Sequence, residues 1–326
     1  MKTRSLGKNG FTVSEVGLGC WQFGGDFGPM EDETAFSIMR TAVENGITFF
    51  DTADVYGSGR SEKLIGKFIK ESGNKIFIAT KFGRNSEVFP DKYSGPAMRK
   101  SVEGSLKRLR VDSLDLLQLH CIPFEELQKG EVFDWLRRLK QEGLIKNFGA
   151  SVESVEEGLL CLKQEDLTSL QVIFNVFRQK LTTELLPRAN EKGVGIIVRL
   201  PLASGLLAGK FSKDTKFDET DHRNYNSDGK YFNVGETFAG IPFEKGVKIS
   251  NRLKAHVPDG ISMAQMALRW ILDHDAVSTI IPGASSSLQA KMNAEASNLN
   301  PLSPKLHEVL FNFYKNNVEE YIRGPY

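Results

Sequence analysis

At 326 residues, 40% of them apolar and 25% charged, the chain is large enough to bury a substantial core. Its net charge of +1 leaves no cationic surface for nucleic acid, and three cysteines cannot build a disulfide framework. No Cys-x-x-Cys or paired-His spacing points to a metal, no apolar run reaches the roughly 18 residues of a membrane span, and Met1–Gly7 lacks a signal-peptide core. A cytoplasmic protein is the expectation.

Met1–Val13 predicts a hairpin turned at Gly7-Lys-Asn-Gly10, and Val16–Gly19 a first core strand. Glu31–Asn45 carries helical spacing, with Phe36, Ile38, Met39 and Val43 apolar. Strand and helix patterns then alternate at roughly 30 residues, the length of a βαβ unit. Predicted strands cover 47–51, 76–81, 114–120, 145–150, 170–174, 195–200 and 277–281. The helices between them are predicted at 61–70, 96–109, 133–142, 155–163 and 185–192. Lys210 to Gly240, rich in Asp, Asn, Lys and Gly, reads as a long loop. Helices follow at 242–255, 262–273, 287–296 and 305–323. The densest basic run, Lys107-Arg108-Leu109-Arg110, predicts a helix end on a solvated face.

Eight strands alternating with helices, undivided by a Pro/Ser-rich linker, predict one (β/α)₈ barrel over residues 1–326. A doubly wound dinucleotide domain would place Gly-x-Gly-x-x-Gly after its first strand. Gly17-Leu-Gly19-Cys-Trp-Gln lacks the third glycine. In a barrel the chemistry sits at the C-terminal ends of the strands, where Asp51, Lys81, His120, Ser151, Gln171, Arg199 and Gly283 fall.

Three of these positions combine with Tyr56 into a catalytic set. Phe50-Asp51-Thr-Ala-Asp-Val-Tyr56-Gly, Ala79-Thr-Lys81 and Leu116-Leu-Gln-Leu-His120 place a carboxylate, a phenol, an ammonium and an imidazole at successive strand ends. On these motifs the chain resembles the aldo-keto reductase superfamily, from its first residues to about Asn300. The resemblance implies that Tyr56 protonates a carbonyl oxygen, that Lys81 lowers the phenol's pKa, and that Asp51 balances Lys81. His120 would hydrogen-bond the carbonyl. Taken alone, Asp51 and Lys81 read equally as a structural ion pair.

It further implies NADP(H). Gly19, Cys20 and Trp21 follow the first strand, and Trp21 is expected to wall the substrate pocket. Ser151 and Gln171 match the nicotinamide-amide positions. Pro201-Leu202-Ala-Ser204-Gly205-Leu-Leu207-Ala-Gly-Lys210 resembles the family's pyrophosphate loop. Arg199 stands where the family commonly has an aromatic that stacks on the nicotinamide. In the segment from Gly283, Ser285 replaces a frequent Arg, so Ser285, Gln289 and Asn293 could meet either a 2′-phosphate or a hydroxyl, with Lys210 or Lys291 adding charge. The expected substrate is a small aldehyde or ketone. NAD-dependent sugar or polyol oxidation stays open, as does a cofactor-sensing subunit like the potassium-channel beta subunits. No helix shows a spare apolar face, so a monomer is expected, without nucleic-acid or membrane partners.

Overall fold

The computed structural model describes all 326 residues. Ten strands form: β1 Thr3–Ser5, β2 Thr12–Ser14, β3 Leu18–Gly19, β4 Phe49–Asp51, β5 Phe77–Phe82, β6 Leu114–His120, β7 Ile145–Ser151, β8 Ser169–Ile173, β9 Gly195–Arg199 and β10 Val277–Ile280. Strands β3 to β10 pair in parallel in sequence order. Bridges Val16–Ile280 and Gly19–Gly283 join the two edges, so the sheet is a nearly closed barrel with helices between its strands.

The seam explains Gly17 and Gly19. A Cβ at Gly17 would lie 2.9 Å from the Phe49 carbonyl oxygen, and one at Gly19 would lie 2.6 Å from that of Ile281. These glycines let β3 approach its neighbours. Gly17 N–H donates to the Ile280 carbonyl at 2.8 Å, and Ile280 N–H donates to that of Glu15 at 3.0 Å.

Two apolar cores divide the barrel wall. The larger, 75 buried residues, fills the space between strands and helices. The smaller holds Leu6, Val13, Phe49, Ala79, Leu116, Ile197 and Ile281, and so packs the antiparallel β1–β2 hairpin onto the inward side chains of the barrel strands. Arg4 fastens that hairpin, donating to the carbonyls of Leu272 at 2.6 Å and Val277 at 2.8 Å.

Most predicted helices form within a residue or two of their expected ends, where assignment is least sharp. Capping explains several starts. Ser154 with Glu157 and Ser262 with Gln265 make reciprocal capping boxes, and Ser286 caps the helix Ser287–Glu295. Three details differ from the expected pattern. A further helix, only six residues long, forms at Phe124–Lys129. The C-terminal helix stops at Asn317, and the tail instead folds back until Arg178 stacks on Tyr326. The basic run does end a helix, at Leu109 with Lys107 and Arg110 exposed, but Arg108 turns inward to Glu62 Oε2 at 2.6 Å, while Thr80 donates to Glu62 Oε1 at 2.6 Å. The fully buried Glu62 thereby ties two helices to β5.

Asp54 lies in the same buried region. Its Oδ2 accepts from Ser101 at 3.2 Å, while its Oδ1 is buried with no partner. Burial and the nearby Glu62 charge push its carboxyl up to about 6. The folded protein therefore holds a proton here more tightly than the unfolded chain, and stability falls as pH rises from about 4 to 6. Asp54→Asn is expected to stabilise by about 2–3 kcal/mol at pH 8 and to gain nothing at pH 4. Urea midpoints at the two pH values test this; an equal shift at both would detach the effect from Asp54 ionisation.

Candidate active site

Strand β4 ends on Asp51, β5 carries Lys81 near its end, and β6 ends on His120, so all three meet at the C-terminal mouth of the barrel. Lys81 Nζ donates to Asp51 Oδ1 at 2.5 Å, to the Thr52 carbonyl at 2.6 Å and to Tyr56 Oη at 3.2 Å. The ammonium thus bridges carboxylate and phenol. The His120 ring stands edge-on to Tyr56, centroids 6.0 Å apart. The structure brings all four predicted residues together.

Their electrostatics differ from the simple expectation in one respect. Burial pushes the Tyr56 phenol up to about 12, Lys81 pulls it down, and Asp51 adds an opposing push. The phenol is therefore a firmer proton holder in the folded protein than in water, because desolvation outweighs the cation. Burial also works against the Lys81 charge, but Asp51 and Tyr56 together overcome it and hold the ammonium protonated well above its usual range. His120 is kept neutral by burial, aided by the cations Lys81, Arg84 and Arg199.

Asp51 has two further partners. Its Oδ2 accepts from Gln118 Nε2 at 3.0 Å and from Gln171 Nε2 at 2.7 Å. Gln118 was missed in the sequence; one strand period before His120, it points to the same side of β6. Gln171 lies next to Ser151, whose hydroxyl donates to Gln171 Oε1 at 3.4 Å. Its amide nitrogen is therefore committed to Asp51, and only its oxygen side faces Ser151.

Trp21 stacks on Tyr56 with centroids 5.9 Å apart, as a pocket wall would. Its indole N–H donates to Asp26 Oδ2 at 3.0 Å, and Tyr225 donates to Asp26 Oδ1 at 3.0 Å. His222 packs 4.6 Å from Trp21 and is fully buried. The 221–226 stretch packs against Trp21 through His222, with Asn224 left exposed. Asn226 fixes its fold by accepting from Tyr231 and Phe232 N–H groups at 3.0 and 3.1 Å.

Beside His120 lies a charge cluster of which only Arg199 is named by the sequence reading. Arg84 pairs with Glu153, and Glu236 Oε1 stands 3.3 Å from Arg199 and 3.7 Å from Arg84. Arg199 also donates to the Val152 carbonyl at 3.3 Å and to Cys121 Sγ at 3.5 Å. Glu236 is held below the usual carboxylate range: burial opposes its charge, but the two arginines outweigh it. Cys121, Glu153 and Glu236 could by spacing grip a cation, yet two guanidinium groups already neutralise them.

The segments matched to a cofactor are formed but unequally free. Ala203, Ser204 and Gly205 adopt left-handed backbone, φ 49°, 53° and 101°, within the turn Ala203–Ala208. The Ser204 hydroxyl donates to the Glu236 carbonyl at 3.0 Å and accepts from Phe238 N–H at 3.1 Å, so it braces the loop. Leu207 is buried behind the turn, with Pro201, Leu202 and Gly205 on its path and exposed Lys210 at its end. Ser285 donates from both N–H and hydroxyl to Gln289 Oε1, and Asn293 donates to the Gly283 carbonyl. Gly283 has no room for a Cβ, which would fall 1.8 Å from Gln22 Nε2. Gly19 and Cys20 serve the wall: Gly19 closes the seam, and the Cys20 carbonyl accepts from Ser61. The buried, partnerless Arg199 Nε and His120 Nδ1 show that polar capacity remains at this mouth for a bound group.

A parallel barrel with this Asp-Tyr-Lys-His set defines the class. The aldo/keto reductase family model matches residues 15–310, and the chain belongs to that family. Among curated relatives, the uncharacterized oxidoreductase YqkF of Bacillus subtilis (strain 168) is 31% identical over 98% of both chains. L-galactose dehydrogenase of Arabidopsis thaliana is 31% identical over 91% of this chain and 88% of its own. A probable voltage-gated potassium channel subunit beta of the same plant is 30% identical over 93% of each. Of solved structures, the holo form of aldo-keto reductase AKR11C1 from Bacillus halodurans superposes at TM-score 0.78, with 28% identity over 96% of both chains. The glycerol dehydrogenase AKR11B4 from Gluconobacter oxydans gives 0.78 and 27%, covering 99% of this chain and 98% of that one.

Proposed function

We propose that the protein reduces aldehyde or ketone carbonyls to alcohols with NADP(H), using Tyr56 as the proton donor. The observation that carries this reading is Lys81 Nζ placed within hydrogen-bond reach of both Asp51 and Tyr56. When bound, reduced nicotinamide supplies a hydride. The chain's own residues do the rest. Tyr56 gives its phenolic proton to the carbonyl oxygen, and the fixed Lys81 charge stabilises the phenolate left behind. Neutral His120 donates one N–H to the same oxygen, orienting it and offsetting charge as it develops. Asp51, itself held by Gln118 and Gln171, keeps Lys81 charged against desolvation. Ser151 and the oxygen side of Gln171 would meet the nicotinamide amide, and the backbone of 201–207 the pyrophosphate.

Support for the phosphorylated cofactor comes from Lys210 and Lys291, exposed and without carboxylate partners near the two phosphate segments. The competing reading is NAD-dependent oxidation of a sugar or polyol. It is favoured by the mutual satisfaction of Ser285 and Gln289, and by the names of the glycerol and L-galactose dehydrogenases among the relatives. Absorbance of NADPH and NADH, followed in parallel with an aromatic aldehyde, separates the two. One charge-assisted contact predicts about a tenfold or greater preference for NADPH. A preference for NADH would move the assignment to the dehydrogenase. Tight cofactor binding with no turnover on carbonyls or polyols would replace both with a sensing role.

A further inference from the structure

Arg84 and Arg199 come to the mouth from different strands, two residues after β5 and at the end of β9. Arg199 touches Cys121, the residue after His120, and the charges of both arginines depress the imidazole. Each guanidinium keeps a buried Nε–H with no acceptor. The two carboxylates facing them are held differently. Glu153 sits on the barrel rim two residues past Ser151 and is hydrogen-bonded to Arg84. Glu236 enters from the turn Val234–Glu236 of the long loop, and its contacts at 3.3 and 3.7 Å are ion pairs without hydrogen-bond geometry. Glu236 therefore balances charge while accepting no hydrogen bond from either guanidinium. An incoming carboxylate could replace it with no change in net charge and make the hydrogen bonds that Glu236 lacks, the planar forks being suited to two-oxygen anions.

We propose that Arg84 and Arg199 form a carboxylate subsite beside the carbonyl pocket, with Glu236 as its occupant at rest, so that preferred substrates are aldehydes or ketones that also carry a carboxylate. This rests on the carbonyl-reductase reading above. Other small anions share the chemistry, but the resident Glu236 identifies a carboxylate as a group of the right size and charge.

The test compares 4-carboxybenzaldehyde with its methyl ester, which differ in charge at one end only. For the intact protein with NADPH, kcat/KM should favour the acid by about tenfold or more, the worth of one charge-assisted hydrogen bond. Within Arg84→Met the acid-to-ester ratio should fall to about one. Glu236→Gln removes the resident competitor, so the ratio should rise and the acid's KM fall. These opposite shifts would not follow from a merely structural role. A ratio of one or below in the unmodified protein overturns the proposal while leaving carbonyl reduction intact. If neither aldehyde is reduced, the carbonyl-reductase reading fails, and calorimetry with 4-carboxybenzaldehyde then decides the subsite. Binding that Arg84→Met abolishes supports it, and absence of binding overturns it.

Discussion

Tyr56→Phe is expected to cut carbonyl-reducing turnover by a factor of about 10²–10⁴ while leaving cofactor affinity within a few-fold. The substitution removes one oxygen and keeps the ring, so Trp21 retains its stacking partner and His120 its edge contact. The lost oxygen is the one that accepts from Lys81. In the proposed mechanism it also reaches the carbonyl, and His120, held neutral, would be left to orient that carbonyl alone. Steady-state kinetics with cofactor fluorescence titration measure the two quantities separately. Turnover at the unmodified level would remove Tyr56 from the chemistry. Equal losses of turnover and cofactor binding would mean that the change had damaged the pocket instead.

Lys81→Met should have two effects of different origin. The first is on titration. Burial holds the Tyr56 phenol at about 12 even with the ammonium pulling it down, so loss of Lys81 must raise it further. In the proposed mechanism Tyr56 accepts a proton in the alcohol-oxidising direction, so the rate should climb with pH towards that value. In the variant the climb should move to higher pH. The second effect is on stability. Without Lys81, the buried Asp51 keeps only the amide donors of Gln118 and Gln171, and an uncompensated interior charge costs about 3–5 kcal/mol. Urea denaturation measures this, and Asp51→Asn added to Lys81→Met should restore most of the loss without restoring turnover. A double variant no more stable than the single one would show that the buried pair is not the source of the penalty.

How much of this was legible beforehand depended on distance along the chain. Asp51, Lys81 and His120 end strands whose apolar runs are visible locally, and parallel pairing in sequence order brings such ends to one face. Tyr56 lies five residues after Asp51 and travels with it. Gln118 was readable in principle from two-residue alternation on β6, but the sequence offers no reason to ask about it until Asp51 Oδ2 is seen to need a donor. Arg84, Glu153 and Glu236 were not readable, because their pairing joins a strand exit, a helix entry and a turn 83 residues further on. The place of His222 is unreadable for the same reason: its partner Trp21 is 201 positions away, and nothing near His222 announces it. The misplaced helix end at Arg323 reflects a different limit. Helical periodicity fades gradually there, whereas the chain leaves the helix at Asn317 to reach Arg178.

The seam between β3 and β10 has a consequence for how the chain is made. Residues 16–19 leave the ribosome long before residues 277–283, their partners across the seam. Until then a nascent chain carries a growing parallel sheet open at both sides, and each pairing already made is between neighbours in sequence. Arg4 must likewise wait for the carbonyls of Leu272 and Val277. Closure is therefore the one step that demands the longest loop, and the slowest kind of contact to form. In the interval the glycine edge at Gly17 and Gly19, bare of side chains, is the surface on which a second nascent copy could pair by mistake.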